Sequence, residues 1–363
     1  MLTTILSTII VLGILVFVHE LGHFLLAKRL GVGVLTFSLG FGPKLIGRKI
    51  GETQYQISTV PLGGYVKLVG ENSEEEVKEE DRHRSFSAQP IWKRALIIGA
   101  GPFFNFLLAV FLFSAINLST GIPSMPMIPP QVHEVSPGLP ADEAGLKNGD
   151  LILSIDGKEI SRWEELRETI YNSEGKELAL KVKRDGEILE IKVTPKPFMQ
   201  KTPFGEEIQT FIIGIKPPYV EETRQKVGPL MAFGSGVVQT WEGIEFTVLA
   251  IVKLIQRVIP AKTIGGPILI AQMAGEFAKK GLLSFALFMA VISINLGVIN
   301  LFPVPILDGG HFLFLRLEAI LRRPISIRKM EVAQQVGLIL IIFLMLFAIY
   351  NDLGRLFPKG FSF

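Results

Sequence analysis

The chain has no cysteine and little net charge, and each absence narrows what it can do. Among its 363 residues, 37 Lys and Arg stand against 34 Asp and Glu, which gives a formal charge of +3. Without cysteine there is no disulfide framework, no thiolate zinc site and no cysteine nucleophile, so a metal site must use His and carboxylate ligands. The small charge, with no Lys/Arg run that interleaves aromatic residues, argues against a nucleic-acid partner.

Apolar residues are what the sequence has in excess. They make up 48% of the chain, and its mean hydropathy of +0.42 is rarely reached by a soluble globule. Four segments are long enough to cross a bilayer core, which needs roughly 20 helical residues. The first begins with "MLTT", which carries no Lys or Arg, and no small-residue cleavage site follows, so it is expected to be a retained span and not a signal peptide. We predict a polytopic α-helical membrane protein with about four transmembrane helices.

The predicted spans organise the rest of the chain. Transmembrane helices are expected at residues 1–30, 95–118, 282–304 and 331–351. Between them we expect a membrane-associated β element (31–70), a charged cytoplasmic loop (71–94), a PDZ-like α+β domain (131–196), a linker with an amphipathic helix (197–281) and a loop with a cytoplasmic segment (305–330). Lys and Arg concentrate after the first and third spans, and the positive-inside rule places those two loops in the cytoplasm. The PDZ-like domain then lies on the other side of the membrane.

Two of these soluble segments have patterns of their own. In residues 31–70, β-branched and aromatic residues alternate with polar ones between Gly and Pro, which predicts short strands that can enter the bilayer where protein covers them. Residues 54–69 offer a strand edge for an extended peptide. In the central domain, "ADEAGLKNGDLILSIDGKEI" resembles the kernel of a PDZ domain. The domain either binds a peptide or serves as a spacer without a ligand.

The chemistry is concentrated in "HELGH" of the first span. His19 and His23 are four residues apart, so they lie on one face of a helix and can both reach one Zn²⁺ at about 2.0–2.1 Å. Glu20 lies about 100° round that helix, beside the metal, where a general base that acts on water is needed. Ionisable groups at membrane depth are costly and usually functional. The alternative is a buried, hydrogen-bonded histidine pair.

A catalytic zinc typically takes a third protein ligand. We predict Asp308, in "NLFPVPILDGGHF", because the third span runs antiparallel to the first and ends at the same depth as the two histidines. Pro303 and Pro305 break the helix, and Gly309-Gly310 is expected to let the backbone turn so that Asp308 points inward. A turn or capping aspartate is the alternative for Asp308, and His311 is the alternative ligand.

These motifs identify a family resemblance. "HELGH", "GPFFN" (101–105) and "NLFPVPILDGG" (300–310), in this order and with one PDZ-like unit, resemble the site-2 proteases, in particular bacterial intramembrane proteases of the regulator-of-sigma-E type. The resemblance implies a zinc metalloprotease in which His19, His23 and Asp308 bind zinc and Glu20 is the catalytic base. It also implies that the substrate segment is lined or held by Asn295, Asn300, Pro303 and Pro305.

The resemblance extends to partners and location. It implies single-span substrates, such as anti-sigma factors or signal-peptide remnants, cleaved inside the bacterial inner membrane near its cytoplasmic side. One departure concerns the central region, since some relatives carry two PDZ units in tandem and this chain has room for one. Two rival functions use the same residues: a metal transporter and a catalytically silent PDZ scaffold.

Overall fold

Long apolar helices form the membrane-spanning part of the chain. The computed structural model describes residues 1–71, 78–124, 127–221, 223–323 and 325–357. Its helices are α1 (Leu2–Arg29), α2 (Ile91–Thr120), α3 (Pro140–Glu143), α4 (Trp163–Tyr171), α5 (Pro229–Ile255), α6 (Pro267–Lys279), α7 (Leu282–Asn300), α8 (Asp308–Leu321) and α9 (Ile327–Leu356). Within the described residues, α1, α2, α7 and nearly all of α9 are long and apolar enough to cross a membrane. The four predicted transmembrane helices are confirmed.

Strands occupy two parts of the chain. They are β1 (Val34–Ile50), β2 (Thr53–Leu68), β3 (Ile122–Ser124), β4 (Glu134–Val135), β5 (Leu151–Ile155), β6 (Lys158–Glu159), β7 (Leu178–Arg184), β8 (Glu187–Val193), β9 (Lys196–Lys201), β10 (Glu207–Ile212), β11 (Ile215–Lys216) and β12 (Thr223–Gln225). The chain divides into one compact unit made of Met1–Ser119, Val227–Val252 and Pro260–Phe363, and a second made of Thr120–Lys226 and Lys253–Ile259. The first unit contains α1, β1, β2 and α2, and the second contains the PDZ-like domain.

The β element of the first unit folds back on itself. Residues 36–39 of β1 lie opposite residues 54–57 of β2 on one side and residues 64–67 on the other. Residues 44–50 of β1 lie opposite residues 53–58 of β2. Residues 54–57 are therefore interior, and the expectation of a free edge over 54–69 is wrong for that half. Of the predicted stretch, residues 64–67 remain as a strand edge with which a peptide can pair.

The PDZ-like unit has a core of its own. Its four-stranded sheet has the order β6-β5-β7-β8, and the β7–β8 hairpin turns at Asp185 and Gly186, which both have positive φ. The core includes Ile152, Leu166 and Leu180, and also Ile213, whose carbonyl accepts a hydrogen bond from the Ala141 N–H at 2.8 Å. The expected boundary at residue 196 is therefore too early, because β11 pairs with β4 and completes the unit.

The predicted linker 197–281 is also more structured than expected. Its first part contributes strands to the PDZ-like unit, and the rest forms α5 and α6. The amphipathic helix begins at Pro229, well before the polar residues that marked it in the sequence. The first half of α5 packs closely on α2, since a Cβ on Gly236 would lie 2.5 Å from Ser114 Oγ and 2.9 Å from the Val110 carbonyl of α2.

The loops beside α2 and α7 differ from expectation as well. Residues 72–77 of the predicted charged loop lie outside the described residues, and α2 begins at Ile91, inside that loop. The segment 305–330 is mostly helix α8, which begins at Asp308 itself. Gly309 and Gly310 make no turn. They are helical, and a Cβ on either would lie within 2.4 Å of the backbone of residues 301–305, so glycine permits this close approach.

Candidate metal centre

Helices α1 and α8 bring three ligand atoms together. His19 and His23 lie one turn apart on α1, and Asp308 is the first residue of α8. The two Nε2 atoms are 3.2 Å apart, His19 Nε2 lies 3.2 Å from Asp308 Oδ2, and His23 Nε2 lies 3.5 Å from Asp308 Oδ1. The structure thus brings together the three residues that the sequence predicted as ligands.

The donor set fits zinc. Ligands at about 2.0–2.1 Å from a tetrahedral zinc lie about 3.3 Å from one another, which matches the three observed separations. Asp308 Oδ2 is buried and has no hydrogen-bond partner among the described residues. Buried carboxylate oxygens are normally paired, so this oxygen is available to a cation. Two imidazoles and a carboxylate without thiolate are a typical catalytic zinc set with room for one further ligand.

Helix α2 orients both imidazoles from behind. His23 Nδ1 lies 2.8 Å from the Ile97 carbonyl, which accepts its proton and leaves Nε2 free as a ligand. The Asn105 side-chain amide lies 3.0 Å from His19 Nδ1, and among the described residues Asn105 Oδ1 is buried without a partner. With that amide turned over, Oδ1 accepts the Nδ1 proton of His19, and His19 Nε2 is left free as a ligand. Partners of this kind fix the tautomer and orientation of metal-binding histidines.

Glycine residues allow α1 and α2 to approach each other this closely. A Cβ on Gly22 would lie 2.4 Å from the Ala100 carbonyl of α2. A Cβ on Gly101 would lie 2.3 Å from His23 Nε2 and 2.7 Å from His19 Cε1. The functional predictions did not include Gly101 or Asn105, although "GPFFN" contains both and was the available signal.

Glu20 lies between the ligand cluster and the β element. Its carboxylate lies close to the Val66 backbone. A Cβ on Gly64 would lie 3.0 Å from Glu20 Cγ, so Gly64 leaves the space that the carboxylate side chain uses. Glu20 therefore touches the strand edge at residues 64–67 and lies beside His19 and His23, where a proton acceptor can serve both a peptide and the metal centre.

A cavity of about 970 Å³ opens beside these groups. His19, Glu20, His23 and Asp308 line it, together with Gly64 to Val66 of the strand edge and polar residues of α9. Its volume is in the range of ligand sites. The space can admit water and a short extended peptide.

The other predicted residues differ in their position. Asn300 lines the cavity, whereas Asn295 Oδ1 accepts a hydrogen bond from Thr247 Oγ1 of α5 at 2.8 Å. Pro305 packs beside Gly337 of α9, and Pro303 is exposed. His311 also lines the cavity, but the three-residue ligand cluster within the described chain consists of His19, His23 and Asp308. Burial holds the pKa of His311 below its usual value.

These features are those of a metalloprotease whose metal site lies among membrane-spanning helices. The model of peptidase family M50 matches residues 7–344, and the chain belongs to this family. The "Regulator of sigma-E protease RseP" of Escherichia coli is 33% identical over 448 residues, covering 96% of this chain and 98% of that protein. A Brucella suis protein named "Putative zinc metalloprotease" is 35% identical, covering 96% of this chain and 95% of that protein. Zinc is the cofactor. Membership of this peptidase family supports a metalloprotease in place of the transporter and scaffold alternatives.

Solved PDZ domains match about a quarter of the chain. The PDZ domain of the SdrC-like protein from Listeria monocytogenes is 23% identical, with a TM-score of 0.21, and the match covers 26% of this chain and 93% of that chain. A second PDZ domain, from the SdrC-like protein of Listeria innocua, is 26% identical with a TM-score of 0.20, over 27% of this chain and all of that chain.

Gly101→Ala tests the packing of the histidines. The new methyl group would overlap the His23 and His19 rings, so we expect zinc affinity to fall by about 10–100-fold, as when an outer partner of a ligand is lost. Zinc affinity is measured on the purified protein by competition with a chromogenic chelator. Gly13→Ala is the matched control, because its added Cβ would meet no described atom within 4 Å beyond the adjacent backbone of its own helix. Equal affinity in both variants would contradict the proposed contact.

Proposed function

We propose that this protein hydrolyses peptide bonds within the transmembrane segments of single-span membrane proteins. The observation that carries the proposal is the position of Glu20 and the three donor atoms in one cavity among helices long and apolar enough to cross a membrane. A soluble metalloprotease needs no such setting. Charged and polar groups at that depth require a water-accessible cavity, and the polar wall of this cavity supplies one.

In the proposed mechanism, each residue of the site has a separate task. His19, His23 and Asp308 hold the zinc, which when bound polarises a carbonyl and makes water a stronger acid. Glu20 accepts a proton from the attacking water and delivers it to the leaving amide nitrogen. The Glu20 carboxylate lies beside the Val66 backbone and lines the cavity with it. Asn105 and the Ile97 carbonyl keep the two imidazoles in the metal-binding tautomer.

The strand edge at residues 64–67 supports a mode of substrate binding. A transmembrane helix has its carbonyl groups bonded internally, so it must unwind before water can attack one. An unwound segment that pairs with residues 64–67 gains main-chain hydrogen bonds in place of those it lost. The segment would then run past Glu20, with Asn300 on the wall of the same cavity. Pro303 and Pro305 shape the chain between α7 and α8 and hold that wall.

The partners follow from this chemistry. Single-span membrane proteins, such as anti-sigma factors or signal-peptide remnants, are the proposed substrates. The Escherichia coli relative is named a regulator of sigma-E, and that name supports a substrate connected with sigma-factor control. We assign the PDZ-like unit a peptide ligand that selects these substrates and that binds as an added strand in a groove flanked by α4.

Cleavage by the purified protein tests the proposal. In detergent, the full chain should carry one zinc and cut a single-span model peptide inside its apolar segment. A metal chelator should abolish cleavage, and zinc should restore it. Mass spectrometry of the products locates the cut. Cleavage confined to the soluble flanks, or cleavage that a chelator leaves unchanged, would contradict the intramembrane mechanism.

The proposed location is the bacterial inner membrane, with the zinc site near the cytoplasmic side and the PDZ-like unit outside. The natural absence of cysteine allows single-cysteine variants. Lys158→Cys, in the PDZ-like unit, should react with a membrane-impermeant maleimide on intact spheroplasts. Lys78→Cys should react only after permeabilisation, because the positive-inside rule places its loop in the cytoplasm. Equal labelling of both before permeabilisation would overturn this topology.

A further inference from the structure

One face of α2 contacts every element that carries a zinc-binding residue. Arg94, Ile97, Gly101 and Asn105 are spaced by three, four and four residues, so they lie along one side of the helix. Ile97, Gly101 and Asn105 contact the two histidines. Arg94 contacts neither. It is directed at α8, the helix that begins with Asp308.

The contact between Arg94 and α8 is a two-pronged ion pair with Glu318. Arg94 Nη1 donates to Glu318 Oε2 at 3.0 Å, and Nη2 donates to Oε1 at 2.6 Å. The two side chains are only 13% and 19% exposed. Arg94 Nε is buried without a partner within the described residues, so the bonds to Glu318 are the main compensation for this guanidinium. A planar fork bound in this way fixes orientation as well as distance.

The position of Glu318 on α8 gives the pair control over Asp308. The two residues lie ten positions apart on one helix, about 15 Å along its axis. At the near end, Gly309 and Gly310 are in close contact with the backbone of residues 301–305. At the far end, Arg94 holds Glu318. Because a helix of this length behaves as a rigid rod, fixing both ends determines its tilt and its rotation, and hence where the first side chain points.

We propose that Arg94 is a positioning residue of the metal centre, acting through Glu318 and α8 to place the Asp308 carboxylate against His19 and His23. The inference rests on the proposed zinc site and adds a residue that touches neither the metal nor the substrate. It makes α2 the common support of all three ligands. A pair that merely joins two helices would affect folding but would not change zinc affinity in a folded protein.

The test measures zinc affinity of the full-length protein in detergent by chelator competition. Arg94→Gln and Glu318→Gln should each weaken zinc binding by about 10–100-fold, as expected when an outer support of a metal ligand is removed. The double variant should lose no more than either single variant, because both remove the same contact. Arg94→Lys, which keeps the charge but not the fork, should fall between wild type and Arg94→Gln. The exchanged pair Arg94→Glu with Glu318→Arg should recover affinity.

Arg184→Gln is the matched control. It breaks a bidentate pair of the same type in the PDZ-like unit, where Arg184 Nε and Nη2 each lie 2.7 Å from Asp150. It should lower thermal stability and leave zinc affinity at the wild-type value. The positioning role is overturned by two results together, both obtained on folded protein. Arg94→Lys would bind zinc with wild-type affinity, and the exchanged pair would bind zinc no better than the single variants. If the wild-type protein itself binds no zinc, the proposed zinc site fails and the ion pair is not at fault.

Discussion

Asp308→Ala is expected to strip zinc from the protein. Two imidazoles with their Nε2 atoms 3.2 Å apart would remain, but the carboxylate that completes the ligand set and neutralises one charge of the ion would be gone. The loss should exceed the 10–100-fold that follows removal of an outer partner, because a direct ligand is removed. Metal content measured after dialysis against buffered zinc should fall from one atom per chain to near zero.

His311→Ala is the control for this assignment. His311 is one turn further along α8 and lines the same cavity, so the two variants disturb the same helix to a similar degree. It lies outside the described ligand cluster, and its variant should keep zinc. The opposite result, with zinc retained in Asp308→Ala and lost in His311→Ala, would make His311 the third ligand.

The membrane spans and the His-Glu-His motif could be read from the sequence because both are local signals. A run of apolar residues determines whether a helix can cross a bilayer, and residues four apart on any helix share a face. The pairing of Asp308 with that motif required one further step, the antiparallel direction of the first and third spans. Each of these needs no knowledge of how side chains pack.

The contacts between helices could not be read in the same way. Gly101 and Asn105 matter because α2 approaches α1 closely at Gly22, and nothing in the local sequence states which helix lies opposite. Gly309-Gly310 illustrates the ambiguity, since glycine serves equally in a turn and in a tightly packed helix. The sequence favoured a turn, and the packing against residues 301–305 made it helical.

The boundary of the PDZ-like unit shows the effect of long-range pairing. Its kernel was recognisable from residues 141–160, but β11 returns to pair with β4 some eighty residues earlier in the chain. Ile213 is buried in the core by that pairing. Strand partners so far apart leave no periodic signal in the sequence between them. The same holds for the β element, where residues 54–57 became interior because β1 folds back over them.

Glu20→Gln is expected to abolish cleavage while zinc stays bound. The amide has nearly the size of the carboxylate, and it can keep the contact with the Val66 backbone. It cannot take up a proton at neutral pH. If Glu20 is the general base, cleavage of a single-span substrate should fall by at least roughly 10²–10⁴-fold. Substrate binding should persist, so the variant should retain uncleaved substrate during co-purification.

A structural role for Glu20 makes a different prediction. A carboxylate that only orients His19 or His23 would, on conversion to Gln, weaken zinc binding by about 10–100-fold, and excess zinc would then restore cleavage. Zinc content and the cleavage rate of one substrate, each measured with and without added zinc, separate the two roles. Full zinc with no cleavage at any zinc concentration identifies the base. Wild-type cleavage in Glu20→Gln would remove Glu20 from the chemistry, and the proton acceptor would have to be sought elsewhere on the cavity wall.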